Sequence, residues 1–133
     1  MKNKCLSFGL FLLTMSIVSC GQNSAESAAK NKLSADEFAV KIQKTENAQY
    51  VDVRTPEEYT SGHIKNFINM DYKNESFENE LGKLDKNKPT FIYCRSGKRS
   101  EAANEIMNKL GFKEVYDLEG GILSWQESGK PIE

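Results

Sequence analysis

Residues 90–112, "TFIYCRSGKRSEAANEIMNKLGF", pass from a continuous apolar stretch through a short basic loop into a helical period. Thr90 to Tyr93 have the pattern of a buried strand, and Pro89 stands at its start, where proline is tolerated. Beyond the loop, from about Ser100, Ala103, Ile106, Met107 and Leu110 fall on one helical face. Gly111 can take the left-handed cap, and Phe112 can fold back onto Met107. A loop at the carboxyl end of a strand, leading into a helix, is half of a βαβ unit and the usual place for a ligand.

The flanking segments alternate in the same way. "LSADEFAVKIQK" (33–44) predicts a helix with Ser34 as cap, Glu37 completing a capping box, and Leu33 stapled onto Phe38. "QYVDVR" (49–54) reads as a strand, and "PEEYTSGHI" (56–64) as a helical turn with Pro56 at its first position. "NFINMD" (66–71) is a second short strand. "SFENELGKLDK" (76–86) sets Phe77, Leu81 and Leu84 on a helix face that Gly82 weakens. "EVYDL" (114–118) is a last strand, and "GGILSWQESGK" (120–130) a tight glycine turn and short helix. Strands alternating with helices over this length predict an α/β fold with a parallel sheet.

The start of the chain has another character. Lys2 and Lys4 precede the uncharged run "LSFGLFLLTMSIVS", which ends at Cys20 and is short for a spanning helix. That is the plan of a signal peptide. Residues 17–20, "IVSC", resemble the lipobox of bacterial lipoproteins, in which the chain is cut before the cysteine and lipid is attached to its thiol. The expectation is a signal over 1–19, a lipidated Cys20 with a flexible tether to residue 32, and one domain over 33–133. An ordinary secretory signal, with Cys20 incidental, is the alternative. Two or more acyl chains give stable anchoring, and the polar segment 21–32 would span ~20 Å. The expected location is the bacterial cell envelope, periplasm-facing or at the outer membrane, since Gly21 is not the aspartate that marks inner-membrane retention.

Loss of Lys2 and Lys4 would lower the formal charge of −1 by two. Such a mildly acidic, mixed surface gives no sign of nucleic-acid binding. With Cys5 in the signal and Cys20 lipidated, Cys94 is the remaining thiol; neither a disulfide nor a Cys/His zinc site is expected.

Cys94 begins the loop "CRSGKR" (94–99). A loop in this place turns successive backbone N–H groups toward its centre, and the following helix start adds about half a positive charge. Gly97 permits the tight turn, and Arg95, Lys98 and Arg99 add full charges. These features favour thiolate over thiol and make Cys94 a nucleophile. The competing reading is a buried cysteine ending a core strand, against which stand the glycine and three cations that follow.

"CRSGKRS" resembles the active-site loop of rhodanese-type sulfurtransferases. "VDVRTPEEYTSGHI" (51–64) is similar to that family's upstream signature and "DLEGGILSW" (117–125) to its closing segment, so the likeness covers about residues 33–131. The resemblance implies a five-stranded, mostly parallel sheet with helices on both faces. It also implies a Cys94 persulfide, loaded by a small anionic donor such as thiosulfate and emptied by a thiol, cyanide or protein acceptor, with no metal or organic cofactor. Substrate contacts would come from Arg95, Ser96, Gly97, Lys98, Arg99 and Ser100: their amides hold the outer sulfur, and the cations hold the donor. Related phosphatases and arsenate reductases use a loop one residue longer, C-x5-R, wide enough for a tetrahedral oxyanion. The C-x4-R of Cys94–Arg99 suits a single sulfur atom. Some thiosulfate-using relatives carry threonine where this chain has Arg99, which leaves the donor open.

Asp52 and Arg54 end a strand beside the expected site. Asp52 can orient a loop cation or the loop backbone, and Arg54 can pair with Glu57 or Glu58, or both can form an ion-pair brace. His63, the single histidine, belongs to a structural signature, and Trp125 to core packing of the last helix. The rival functions are a Cys-dependent phosphatase or arsenate reductase, and a non-enzymatic persulfide carrier or binding module.

Overall fold

The computed structural model describes residues 31–133. The expected signal segment, Cys20 and the tether as far as residue 30 lie outside those residues. Among the described residues no helix is long and apolar enough to cross a membrane.

Five strands, β1 (Lys32–Leu33), β2 (Gln49–Asp52), β3 (Ile68–Asn69), β4 (Thr90–Tyr93) and β5 (Val115–Leu118), form one sheet in the order β1-β5-β4-β2-β3. Every pairing is parallel, and β4 lies at the centre. This is the expected α/β sheet. β1 begins at Lys32, and the Asp117 N–H bonds to the Asn31 carbonyl, so residues 31 and 32, read as tether, are paired to β5. Two residues carry too little periodicity to register as a strand.

Alternation along the strands divides the core in two. Val51, Val53, Ile92, Cys94 and Val115 face one side, under the helices α3 (Phe77–Leu81) and α4 (Lys98–Lys109). Phe91, Tyr93 and Leu118 face the other, under α1 (Ala35–Lys44) and α5 (Gly121–Glu127). On that side Tyr50, Phe91 and Tyr116, aligned across three strands, stack at 5.6 and 5.0 Å between ring centroids.

The helix ends follow the local chemistry. Ser34 and Glu37 close a capping box at α1. Thr55 and Glu58 close a second at α2 (Pro56–Thr60), where Pro56 occupies the first turn. α3 stops at Gly82, so Leu84 packs from beyond the helix. Gly111, at φ +92°, ends α4 in a Schellman motif, with bonds from Phe112 to Met107 and from Gly111 to Asn108.

Asp52 and Arg54 form the brace. The guanidinium donates to both carboxylate oxygens, Nη2 at 2.7 Å, and also to the Gly62 carbonyl. The Tyr93 hydroxyl donates to Asp52 and accepts the Ile64 N–H. Burial and the Asp52 charge hold that hydroxyl well above the usual tyrosine range, which keeps it a donor. The expectation that Arg54 pairs with Glu57 or Glu58 is not met, because Asp52, two residues away, takes Nε and Nη2 and the Gly62 carbonyl shares Nη2. Nor does Asp52 reach a loop cation, as Arg54 and Tyr93 occupy its oxygens. Asp52→Ala, which strands Arg54 as a buried unpaired charge, is expected to cost about 3–5 kcal/mol in urea unfolding.

Candidate active site

Cys94 follows the last residue of the central strand and is 1 % exposed. The chain then turns through Gly97, at φ +105°, and enters α4 at Lys98, two residues before the expected start. Gly97 donates its N–H to Cys94 Sγ at 3.0 Å. The N–H groups of Arg95, Ser96, Lys98, Arg99 and Ser100 have no acceptor among the described residues. The first turn of a helix leaves its donors open, and here they belong to the same loop as the thiol.

A second element fixes that orientation. The first amides of α5 take the loop's carbonyls, Ile122 N–H to Cys94 O at 2.9 Å and Leu123 N–H to Arg95 O at 3.2 Å. In a trans peptide the N–H points opposite its own C=O, so the Arg95 and Ser96 N–H groups are turned away from α5. Gly121 makes the approach possible: its φ is +62°, and a Cβ there would lie 2.4 Å from both carbonyl oxygens. The glycine pair, which the sequence marks only as a tight turn, is therefore part of the loop's support.

The three cations differ. Arg95 and Lys98 are exposed and make no ion pair among the described residues. Arg99 is half-buried and bound to Glu58 by two parallel bonds of 2.6 and 2.7 Å. Arg99 holds the Glu58 carboxyl down at about 2, aided by the Thr55 cap. Glu58 in turn raises the Arg99 guanidinium, and the nearby Cys94 adds to the effect. Arg99 thus latches α4 to α2 instead of standing free, because the α2 capping box fixes Glu58 opposite it. Ser96 is exposed; Ser100 is buried and its hydroxyl donates to the Gly97 carbonyl at 3.2 Å.

His63 lies outside the site. It stacks on Tyr59 at 3.9 Å and exchanges backbone bonds with Glu133. Trp125 packs in the core, its indole N–H on the Pro131 carbonyl. The latch partner Glu58, the support from Gly121 and the buried Asp117 beneath α4 escaped the sequence reading. Of these, only the T-P-E-E capping pattern was available as a signal.

A thiol at the carboxyl end of the central strand, within a loop of open amides that starts a helix, defines a class of α/β proteins whose loop can receive a small anion or one polar atom beside a cysteine. The Rhodanese-like domain model matches residues 34–128, so the chain belongs to the rhodanese-like family. Thiosulfate sulfurtransferase GlpE of Shewanella oneidensis is 30% identical over 89 residues, 67% of this chain and 86% of that protein. A rhodanese-related protein from Thermoplasma volcanium, solved by crystallography, superposes with TM-score 0.68 at 32% identity, covering 77% of this chain and 97% of the other. A tRNA uridine(34) hydroxylase of Pelagibacter ubique is 42% identical over 84 residues, 62% of this chain, which spans only 28% of that protein.

Gly121→Ala is expected to destabilise the fold by roughly 3 kcal/mol or more in urea unfolding, through the left-handed backbone and the carbonyl clash. The latch predicts a pH dependence. The Glu58 carboxyl lies below its ordinary 4.5, so its contribution is complete above that value and is lost as pH falls through about 2. The stability gap between the wild type and Glu58→Gln should be widest above about pH 5 and close toward about pH 2.

Proposed function

We propose that the protein is a sulfurtransferase whose Cys94 carries sulfane sulfur as a persulfide. The observation that carries this reading is the Gly97 N–H on Cys94 Sγ within a six-residue loop whose other N–H groups, from Arg95 to Ser100, have no acceptor among the described residues. The sulfurtransferase among its relatives supports it.

The Cys94 thiolate attacks the outer sulfur of a donor such as thiosulfate. A new S–S bond forms, the donor's S–S bond breaks, and sulfite leaves with its electron pair. Cys94 is left as the persulfide anion, stabilised by the loop amides. Cyanide or a thiolate then takes the outer sulfur and regenerates the Cys94 thiolate. Arg95 and Lys98, the unpaired cations, receive the anionic donor and steady the departing sulfite. Arg99 contributes less, since Glu58 offsets its charge. The reaction calls on no metal or organic cofactor. A protein thiol is a further possible acceptor. Export and anchoring to the envelope through a lipid on Cys20 belong to the same proposal and rest on the sequence of residues 1–20.

Intact mass tests the reading. Thiosulfate should add one sulfur atom, Cys94→Ser should gain none, and cyanide should remove it as thiocyanate. No gain with thiosulfate or mercaptopyruvate would overturn self-sufficient transfer. Replacing both Arg95 and Lys98 with alanine should raise KM for thiosulfate roughly fivefold, while dithiothreitol empties the loaded persulfide at the wild-type rate.

A further inference from the structure

Asp117 is a buried acid on β5. It is 1 % exposed, and neither carboxyl oxygen has a hydrogen-bond partner among the described residues. On β5 it pairs with Ile92 of β4 and Lys32 of β1, and it follows Val115 by two residues, on the α4 side of the sheet. The groups facing it are Lys32 from β1 and Ser100 and Glu101 from the first turn of α4. Lys32 is shared with Glu101, at 3.4 Å, and so is not committed to Asp117. Ser100 lies close enough to act on the carboxyl, yet its hydroxyl is turned to the Gly97 carbonyl.

Ser100 has one hydroxyl proton, and two acceptors compete for it. One is the Gly97 carbonyl, in the residue whose N–H holds Cys94 Sγ. The other is the Asp117 carboxyl.

We propose that Asp117 is a positioning residue for the Cys94 loop, acting through Ser100. With the carboxyl protonated, Asp117 donates to Ser100 Oγ, Ser100 donates to Gly97 O, and the loop is braced. With the carboxyl ionised, Ser100 turns its proton to Asp117 and Gly97 O keeps only the Glu101 N–H. The ionised carboxyl also places a negative charge beneath a loop that must hold a negative sulfur. Both effects loosen the hold on the sulfur as pH rises.

The position of the equilibrium fits this role. Burial, the largest cause, pushes the Asp117 carboxyl up to about 7, with Glu101 adding to it and Ser100 and Lys32 opposing it. The two states therefore exchange near neutral pH. The same burial fixes the sign for stability: the contribution of Asp117 is complete below its ordinary 3.8 and is lost as pH rises through about 7.

The inference bears on the sulfur-transfer reading but is tested apart from it. Iodoacetamide alkylation of Cys94 in the full chain, followed by peptide mass spectrometry from about pH 5 to about pH 9.5, reports the loop without any sulfur donor. The wild-type rate should change in two steps. Asp117→Asn should lose the step near neutral pH and keep the other. Ser100→Ala, which leaves Asp117 in place, should diminish that step and alter the rate below it by roughly fivefold, the effect of one hydrogen bond. Retention of both steps by Asp117→Asn, or an undiminished step in Ser100→Ala, would overturn the proposal. The second variant decides the relay even where the first fails to fold. Sulfur gain by mass with unchanged profiles would sink this inference alone, whereas altered profiles without sulfur gain would sink only the transfer reading.

Discussion

The contact between Gly121 and the carbonyls of Cys94 and Arg95 is the constraint on which the site depends. A backbone loop can present either its N–H groups or its C=O groups to a given point. Here the opening amides of α5 take two carbonyls, while the Gly97 N–H meets the Cys94 sulfur and the other loop N–H groups have no acceptor among the described residues. The same contact welds the end of β4 to α5, and hence the two faces of the sheet to each other. No side chain other than hydrogen fits between them. Position 121 therefore serves the fold and the site through one distance.

Charge is distributed around the thiol according to burial. The deepest pair, Asp52 with Arg54, is joined by three side-chain hydrogen bonds and held further by Tyr93 and the Gly62 carbonyl. It orders the segment that carries α2 and leaves the loop alone. The next, Glu58 with Arg99, is half-buried and joins α2 to α4. Of the loop's three cations, Arg95 and Lys98 are exposed and make no ion pair among the described residues. A buried ion pair contributes mainly by fixing geometry, since desolvation offsets much of its attraction, whereas exposed cations keep their reach for a diffusing anion.

How far the sequence could be read follows from the same hierarchy. Strands and helices were legible because apolar spacing and capping residues are local: Ser34 with Glu37, Pro56, and Gly111 with Phe112 behave as their neighbours dictate. The loop was legible through Cys94, Gly97 and the cations around them. What stayed hidden depends on distant residues. Nothing in "VDVR" says whether Arg54 turns to Asp52 or to Glu58, because the choice is settled by Gly62 and Tyr93 arriving from elsewhere. Nothing in "DLEGG" says that its aspartate is buried or that its second glycine touches Cys94. β1 was hidden for a different reason: it owes its existence to β5, not to its own two residues.

The near-complete burial of Cys94 has a consequence for the chemistry proposed. A second sulfur bonded to Sγ extends about 2 Å farther along the exit from the strand. Sγ already has the Gly97 N–H at 3.0 Å, and in the proposed persulfide the added atom would draw on the N–H groups of Arg95 to Ser100, which have no acceptor among the described residues. In the proposed reaction, loading would carry the reactive atom about one S–S bond away from the buried Cys94 Sγ, toward an acceptor. An oxyanion with substituents on every side would need a wider ring at the same depth. The short loop and the buried thiol therefore both fit the proposed transfer of a single atom better than a tetrahedral oxyanion.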